Sequence, residues 1–583
     1  MTAMTQPGGS PRDGVPNDPH GSATLSPYVS YDDEKLSSDL ICRQTVVNGD
    51  LWEIIRKANH NSRLPISRVP PEVLEVIFLR LLEAIRVSSP HGTAEPGSFS
   101  FLFVCRHWYE VAVNSQNLWC CWDSKAQRWS TFLERSKRAP LHLHFISNFS
   151  YEQGLDDKTT KAAAEMFQSF EVQGRFVDVD FHGGRYFVDM YLRLSKSWSR
   201  PEHPSPLKSL HLRPADDNTA HNFRHTPIIV PSHYWLKLFP ELDELELRDC
   251  RCDWDAPVFS TSSLRRLAIV SGDPFCNPRM PQIEYMIYCN RALDHLELSA
   301  PTGCQPSQTQ SPSLPFLRTL GVSGILLDAM KLLQYIDSPK TLERLNLVLT
   351  TNVFGELDFG GAFLRGFHAQ RATVRWVDVE LKNCSIVIRS FTSTDKIAEP
   401  FSIIEIVQGY HVQPAGTKLW QKLNIHAVCS ATLPLESVEK LSIRGEGQYK
   451  PGWSQDVTKL FEVLSPTLGE IEVSGNYISS GILEALMTLP TPRTGRYGPS
   501  RARSQLPNLK YLRLVGVDLE GHMEDAPVPF HRLLKHCIEK RRDAKPGLGV
   551  RRLKRVEIND SRSHDLGDGC KFPTLFEAMR EPF

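Results

Sequence analysis

A six-residue phrase of the form apolar-x-x-apolar-x-apolar returns again and again through this chain. It reads LKSLHL from Leu207, LDELEL from Leu242, LRRLAI from Leu264, LDHLEL from Leu293, LRTLGV from Leu317 and LERLNL from Leu342. It continues as VRWVDV from Val374, VEKLSI from Val438, LGEIEV from Leu468, LKYLRL from Leu509 and LKRVEI from Leu553. FVDVDF from Phe176 and WQKLNI from Trp420 are weaker copies. Alternation of this kind predicts a short strand with one buried face. One such strand cannot bury its own apolar side, so neighbours must stack into a continuous layer. Between Leu242 and Leu342 successive phrases start 22 to 29 residues apart, room for a strand and a return by helix or loop.

A different pattern precedes the phrases. In ISRVPPEVLEVIFLRLLEAI, Pro70 and Pro71 suit a helix start, because an amide in the first turn has no intrahelical partner to lose. Glu72 and Glu75 favour the positive end of the helix dipole. The helix that follows is apolar on nearly every side (Val73, Leu74, Val76, Ile77, Phe78, Leu79, Leu81, Leu82), which leaves surface for a second contact beyond the core. Farther on, Phe101, Val104, Cys105, Trp108 and Ala112 follow helical spacing, with Arg106, His107, Glu110 and Asn114 on the polar side, and a short loop ends in Leu118 and Trp119. Residues 86–98, rich in Pro, Gly and Ser, read as the connecting loop. Residues 1–45 are too poor in apolar groups to offset ordering entropy and are expected to be disordered. Residues 46–65 form a weakly helical lead-in through Val47, Leu51, Ile54 and Ile55.

Charge and cysteine content narrow the partners. The 67 basic and 67 acidic residues cancel, so no global field favours nucleic acid or an anionic membrane. The 13 cysteines follow no regular framework and no CxxC occurs, which points to free thiols in a reducing, intracellular compartment, cytoplasmic or nuclear, without a structural metal. No apolar run approaches a membrane span or a leader near Met1. The basic stretch from Glu539 to Arg555 runs into a repeat strand and lacks stacking aromatics, so it reads as a solvated face. Polar segments 213–227, 301–313 and 490–505 read as surface loops. Residues 383–431 alternate (Ile386, Ile388; Ile403, Ile406) but hold only one weak phrase, so their architecture stays open.

Catalytic signatures are wanting. Phe359-Gly360-Gly361-Ala362 lacks the lysine and spacing of a phosphate loop, and neither a GxSxG elbow nor an HExxH helix is present. Cys105 and His107 are two residues apart and fall on different helix faces. The sequence thus offers binding surfaces rather than reaction centres, with no cofactor or metal expected. The strand residues between the inward positions form the largest such surface: Ser209, His211 and Arg213; Glu244, Glu246 and Arg248; Arg266 and Ala268; His295 and Glu297; Thr319 and Gly321; Arg344 and Asn346; Trp376 and Asp378; Lys440 and Ser442; Glu470 and Glu472; Tyr511 and Arg513; Arg555 and Glu557. Their polar and charged mixture with a few aromatics suits protein recognition. Within that set Glu244, Glu246, Arg266, His295, Glu297, Arg344, Trp376, Asp378, Lys440, Tyr511 and Arg513 are the candidate target-binding residues.

The proline pair, the Glu-x-Leu-x-x-Ile-Phe helix, the Val-Cys-x-x-Trp helix and the closing Asn-Leu-Trp resemble an F-box. Downstream, Trp129, Leu133, Glu134, Arg135, Ser136, Ala139, Pro140 and Leu141 resemble the linker of fungal F-box proteins. The phrase spacing resembles leucine-rich repeats, most fully in LGEIEVSGNYISSGILEALMTL, where Asn476 takes the turn position, as Cys250 does after LDELEL. These resemblances imply an α/β architecture: an F-box module with linker over 66–140, then an irregular leucine-rich-repeat-like solenoid over 141–583. They also imply a non-catalytic substrate receptor of a cullin-RING ubiquitin ligase, with a Skp-type adaptor, and through it a cullin, as partners. Pro70, Pro71, Leu74, Ile77, Phe78, Leu81, Val104, Cys105, Trp108, Leu118 and Trp119 would then meet the adaptor. The competing expectation is a repeat scaffold that works outside any ligase.

Overall fold

The structure is a computed structural model describing most of residues 68–559. Outside the described residues lie 1–67, 148–163, 195–204, 214–226, 352–363, 409–424, 446–452, 488–505, 518–528, 543–552, 560–583 and shorter intervals. The expected N-terminal disorder, the lead-in helix and two of the three polar loops, apart from their ends, therefore fall outside the description. The chain divides into two compact units, residues 1–80 with 99–112, and residues 81–98 with 113–583.

Helix α1 spans Pro71–Ser88. It begins where the proline pair places it, with the Val73 and Leu74 amides donating to the Pro70 carbonyl at 3.1 Å. It runs on through residues 86–88, which the composition had assigned to a loop, and a 3₁₀ helix already spans Pro96–Phe103. The single helix expected through Phe101, Val104 and Cys105 is also two pieces, since helix α2 starts only at Arg106 and ends at Asn114. Pro96, Gly97 and two serines lower α-helical propensity there, and a short i→i+3 turn replaces it. Within the first unit Phe78 stacks on Phe101 with centroids 4.5 Å apart and meets Trp108 edge-on at 5.1 Å.

The second unit is built on one large, mostly parallel sheet. Its strands are β1 (Cys121–Asp123), β2 (Leu141–Ser147), β3 (Phe176–Gly183), β4 (Ser209–Arg213), β6 (Glu244–Arg248), β8 (Arg266–Val270), β9 (His295–Ser299), β10 (Thr319–Ile325) and β11 (Arg344–Thr351), followed by β12 (Trp376–Leu381), β13 (Ser385–Phe391), β14 (Ser402–Gln408), β15 (Lys440–Gly445), β16 (Glu470–Ser474), β17 (Tyr511–Val515) and β18 (Arg555–Asn559). The short β5 (Ile228–Ile229) and β7 (Cys250–Arg251) pair separately. Each of the eleven phrases, and FVDVDF, supplies a strand of the large sheet. WQKLNI does not end in one: its last residue, Ile425, opens a helix.

The apolar positions line up across the strands as the phrase requires. Val179, Leu210, Leu245, Leu267, Leu296, Leu320 and Leu345 are successive register partners, and all are buried. Burying a leucine of this kind stabilises by about 1.5–3 kcal/mol before entropic costs. Two features depart from a simple run. The sheet starts at β1, ahead of residue 141, and β12 does not follow β11. The strand order there is β11-β14-β13-β12-β15, with β13 antiparallel to both neighbours. Ser385–Phe391 is covered on both faces, with Ile386, Val387, Ile388 and Phe391 all buried. A strand so covered fits the middle of a sheet.

Twelve α-helices occur among the described residues. Between α2 and the last four lie α3 (Trp129–Ser136), α4 (Phe170–Gln173), α5 (Arg185–Leu194), α6 (Ser232–Trp235), α7 (Met280–Cys289) and α8 (Leu326–Tyr335). Helices α9 (Ile425–Thr432), α10 (Trp453–Val463), α11 (Asn476–Met487) and α12 (Phe530–Arg542) pack side by side. In α11, Ile478, Ile482, Leu483 and Leu486 are buried at helical spacing. No described helix is long and apolar enough to cross a membrane.

Candidate functional site: the polar face of the sheet

The residues that alternate with the buried leucines form ladders of ion pairs. At the β2 end, the His144 imidazole lies between Asp178, 3.4 Å from Nε2, and Asp180, 3.7 Å from Nδ1. His142 is 3.7 Å from Asp178. Burial alone would raise both carboxyls, but the His142 hydrogen bond to Asp178 and the His144 hydrogen bond to Asp180, with neighbouring positive charge, hold each below its ordinary value. On β4, Arg213 Nη2 donates to His211 Nδ1 at 2.9 Å and pairs with Glu246 at 2.8 Å. His211 Nε2 lies 3.1 Å from Ser209 Oγ and 3.4 Å from Glu244. Its hydrogen bond is the main reason the Glu244 carboxyl is held down. Arg248 joins Glu246 at 2.6 Å to Glu297 at 3.3 Å, and Arg266 reaches Glu244 at 3.7 Å.

At the other end Asp378 is the centre. It accepts from Arg389 Nη1 at 3.0 Å and from Arg444 Nε at 3.1 Å, while Arg389 Nη2 reaches Glu380 at 2.6 Å. Trp376 stacks on Phe391 with centroids 4.0 Å apart and donates to Ser442 Oγ at 3.1 Å. Lys440 Nζ sits 4.8 Å from the Trp376 ring centre and 3.0 Å from Glu470. Arg513 links Glu472 and Glu557, and Tyr511 is exposed.

Several candidate target-binding residues are not free surface. Asp378, Lys440 and Glu246 are only 2, 3 and 7 % exposed, so they anchor the ladder rather than face solvent. Arg344 and Trp376, consecutive in the phrase order, are separated by β14 and β13. Arg344 instead pairs with Glu399 and, with Arg266, His295 and Arg318, borders a depression of about 570 Å³. Burial and then the Arg266 charge lower the His295 pKa. A second depression, of about 400 Å³, is bordered by His142, His144, Asp180, His211 and Arg213. His142, His144, Asp178 and Asp180 are absent from the candidate surface, although FVDVDF marks the strand of the two aspartates and the alternation in LHLHF that of the two histidines. Arg389 and Arg444 were missed too, the first because its strand is not a phrase and the second because it lies one position past one.

Tautomer and burial narrow the chemistry open to these groups. A guanidinium only donates, so His211 Nδ1 is an acceptor and its proton is on Nε2. The Ser209–His211 pair is thus in the wrong tautomer for a base acting on the serine. Burial pushes the Cys429 thiol up to about 12 and the Cys537 thiol to about 11, and raises Cys250 well out of the thiolate range. Cys250 Sγ donates to the Arg248 carbonyl at 3.1 Å, a turn contact of the kind its phrase position implies. Among the described residues no group of three or more His, Cys, Asp or Glu side chains has metal-binding geometry.

The residues expected at the adaptor divide sharply. Leu74, Phe78, Leu118 and Trp119 are buried by the protein's own side chains, so they serve internal packing and not a docking surface. Trp119 meets Phe132 edge-on at 5.1 Å and lies under the Arg135 guanidinium at 4.4 Å. Cys105 and Trp108 are half-buried, while Pro70, Pro71, Ile77, Leu81 and Val104 are exposed. Val73, Val76, Phe103 and Tyr109 are exposed as well. Compared with protein-family models and with curated proteins, the chain matches none.

Proposed function

We propose that this protein is a non-catalytic substrate receptor of a cullin-RING ubiquitin ligase: helix α1 docks a Skp-type adaptor, and the polar sheet face holds a target protein. The observation that carries the reading is the two-sidedness of α1. Leu74 and Phe78 are fully buried, while Val73, Val76 and Ile77 on the same helix are 47, 56 and 43 % exposed. Apolar surface left out of a core in this way marks a docking face. The second half of the reading treats the large sheet as an irregular leucine-rich-repeat-like solenoid. What supports it is the recurrence of the phrase in register along the sheet and the return helices after β10, β15, β16 and β17. Ubiquitin transfer would then be a matter of proximity, the target's lysines being held near a carrier that other subunits bring.

Co-expression with a Skp-type adaptor tests this. Ile77→Asp should weaken adaptor recovery at least tenfold, about 1.4 kcal/mol, because a charge replaces an outward apolar side chain at the docking face. The fold should be unaffected, since Ile77 is not core. Phe78→Ala should instead destabilise the protein by about 3–5 kcal/mol. Adaptor recovery unchanged in a folded Ile77→Asp protein, or no adaptor recovered with the unaltered chain, overturns the reading in favour of a scaffold outside any ligase.

A further inference from the structure

His211 occupies a position that one proton would change. Its Nδ1 accepts from Arg213 at 2.9 Å, and because a guanidinium has no acceptor, that bond exists only while Nδ1 is unprotonated. Its register partner on β3 is Asp180, whose Oδ1 is buried and has no hydrogen-bond partner among the described residues. Arg213 Nε is likewise buried, with no partner among the described residues. A buried carboxylate oxygen left unpaired beside an imidazole that points its lone pair at a cation is a costly arrangement. It is also one that protonation would relieve.

We propose that His211, Asp180 and Arg213 form a proton-operated switch on the polar face. A proton from solvent adds to the Nδ1 lone pair, the new N–H donates to Asp180 Oδ1, and Arg213 leaves Nδ1 while keeping its charge and its pairing with Glu246. No bond other than hydrogen bonds breaks. The titratable and charged groups that face His211 come from its own strand and from both neighbouring strands. From β3 these are Asp178, Asp180 and His182, and from β6 Glu244, Glu246 and Arg248; Arg213 is on its own strand. Behind β3, the β2 residues His142 and His144 already share Asp178 and Asp180, and beyond β6 Arg266 pairs with Glu244. The outcome is a polar face whose β3–β6 end gains one positive charge and presents Arg213 differently, so that whatever binds there does so in a proton-linked way.

The test uses the full chain alone and needs neither adaptor nor target, so its failure leaves the receptor reading standing, and the reverse. Crystal structures at about pH 8 and about pH 5, the limits between which imidazoles change charge, are combined with ring ¹⁵N spectra that report which nitrogen bears hydrogen. The expected result is Arg213 on an unprotonated Nδ1 at the higher pH, and Asp180 Oδ1 within about 3.2 Å of a protonated Nδ1 at the lower. In Asp180→Asn the movement of Arg213 should be lost. If that variant does not fold, Arg213→Gln replaces it, and His211 should then face Asp180 at both pH values. Arg213 remaining on His211 at about pH 5 in the unaltered chain, or moving equally in Asp180→Asn, overturns the proposal.

Discussion

Replacing Asp378 with asparagine should loosen the sheet where its strand order reverses. The carboxylate is 2 % exposed and receives two arginines, Arg389 from β13 and Arg444 from β15, so it ties three adjacent strands together. Removing one member of a buried charge cluster typically costs about 3–5 kcal/mol. Two discounts apply. Arg444 is 54 % exposed and can turn to water, and Arg389 keeps Glu380 at 2.6 Å. About 2–3 kcal/mol is the remaining cost, close to the value of one charge-assisted hydrogen bond plus partial desolvation. The hydrogen bond to Asp378 also leads the causes that raise the Arg444 pKa. Because stacked arrays need not unfold in one step, the assay is native-state hydrogen exchange at the β12, β13 and β15 amides rather than one global melting curve. Protection at these strands should fall by about thirtyfold or more, 2 kcal/mol on the scale of 1.4 kcal/mol per factor of ten, with little change at β4 to β9. The double variant with Arg444→Gln should show a coupling of about 1 kcal/mol. Exchange within about 0.5 kcal/mol of the unaltered chain at all three strands would refute the clamp.

Two further outcomes follow from the same face and its turns. Gly475 has φ of +107°, and a Cβ there would lie 2.4 Å from the Gly445 carbonyl oxygen, so Gly475→Ala should cost at least about 1–3 kcal/mol, read by the same exchange method at β15 and β16; a neutral substitution would mean the turn can relax. The depressed carboxyls of Asp178, Asp180, Glu244 and Glu246 contribute stability that is present above the ordinary carboxyl range, about pH 4, and is lost as pH falls through their lower folded values. The β2–β6 end should therefore take up protons on unfolding below about pH 4, and urea resistance that stays flat between about pH 5 and pH 3 would count against it.

What the sequence by itself determined was the list of strands and the side of each that is buried. Leu210, Leu245, Leu267 and Leu296 had to face inward because alternation is a local property of an extended chain, and the same holds for the start of α1 at Pro71. Which polar residues were neighbours was decided only by tertiary structure. Phrase order puts Arg344 next to Trp376, but β14 and β13 come between them, and strand pairing at that distance depends on contacts no six-residue window contains. The same holds for burial of charge: Asp378 and Lys440 read as surface residues until the strands beside them supplied arginines, an indole and a carboxylate to cover them. In α1 the composition announced surplus apolar surface without dividing it. Packing made the division, since Phe78 found Phe101 and Trp108 whereas Ile77, one residue earlier and about 100° around the helix, found no such cover.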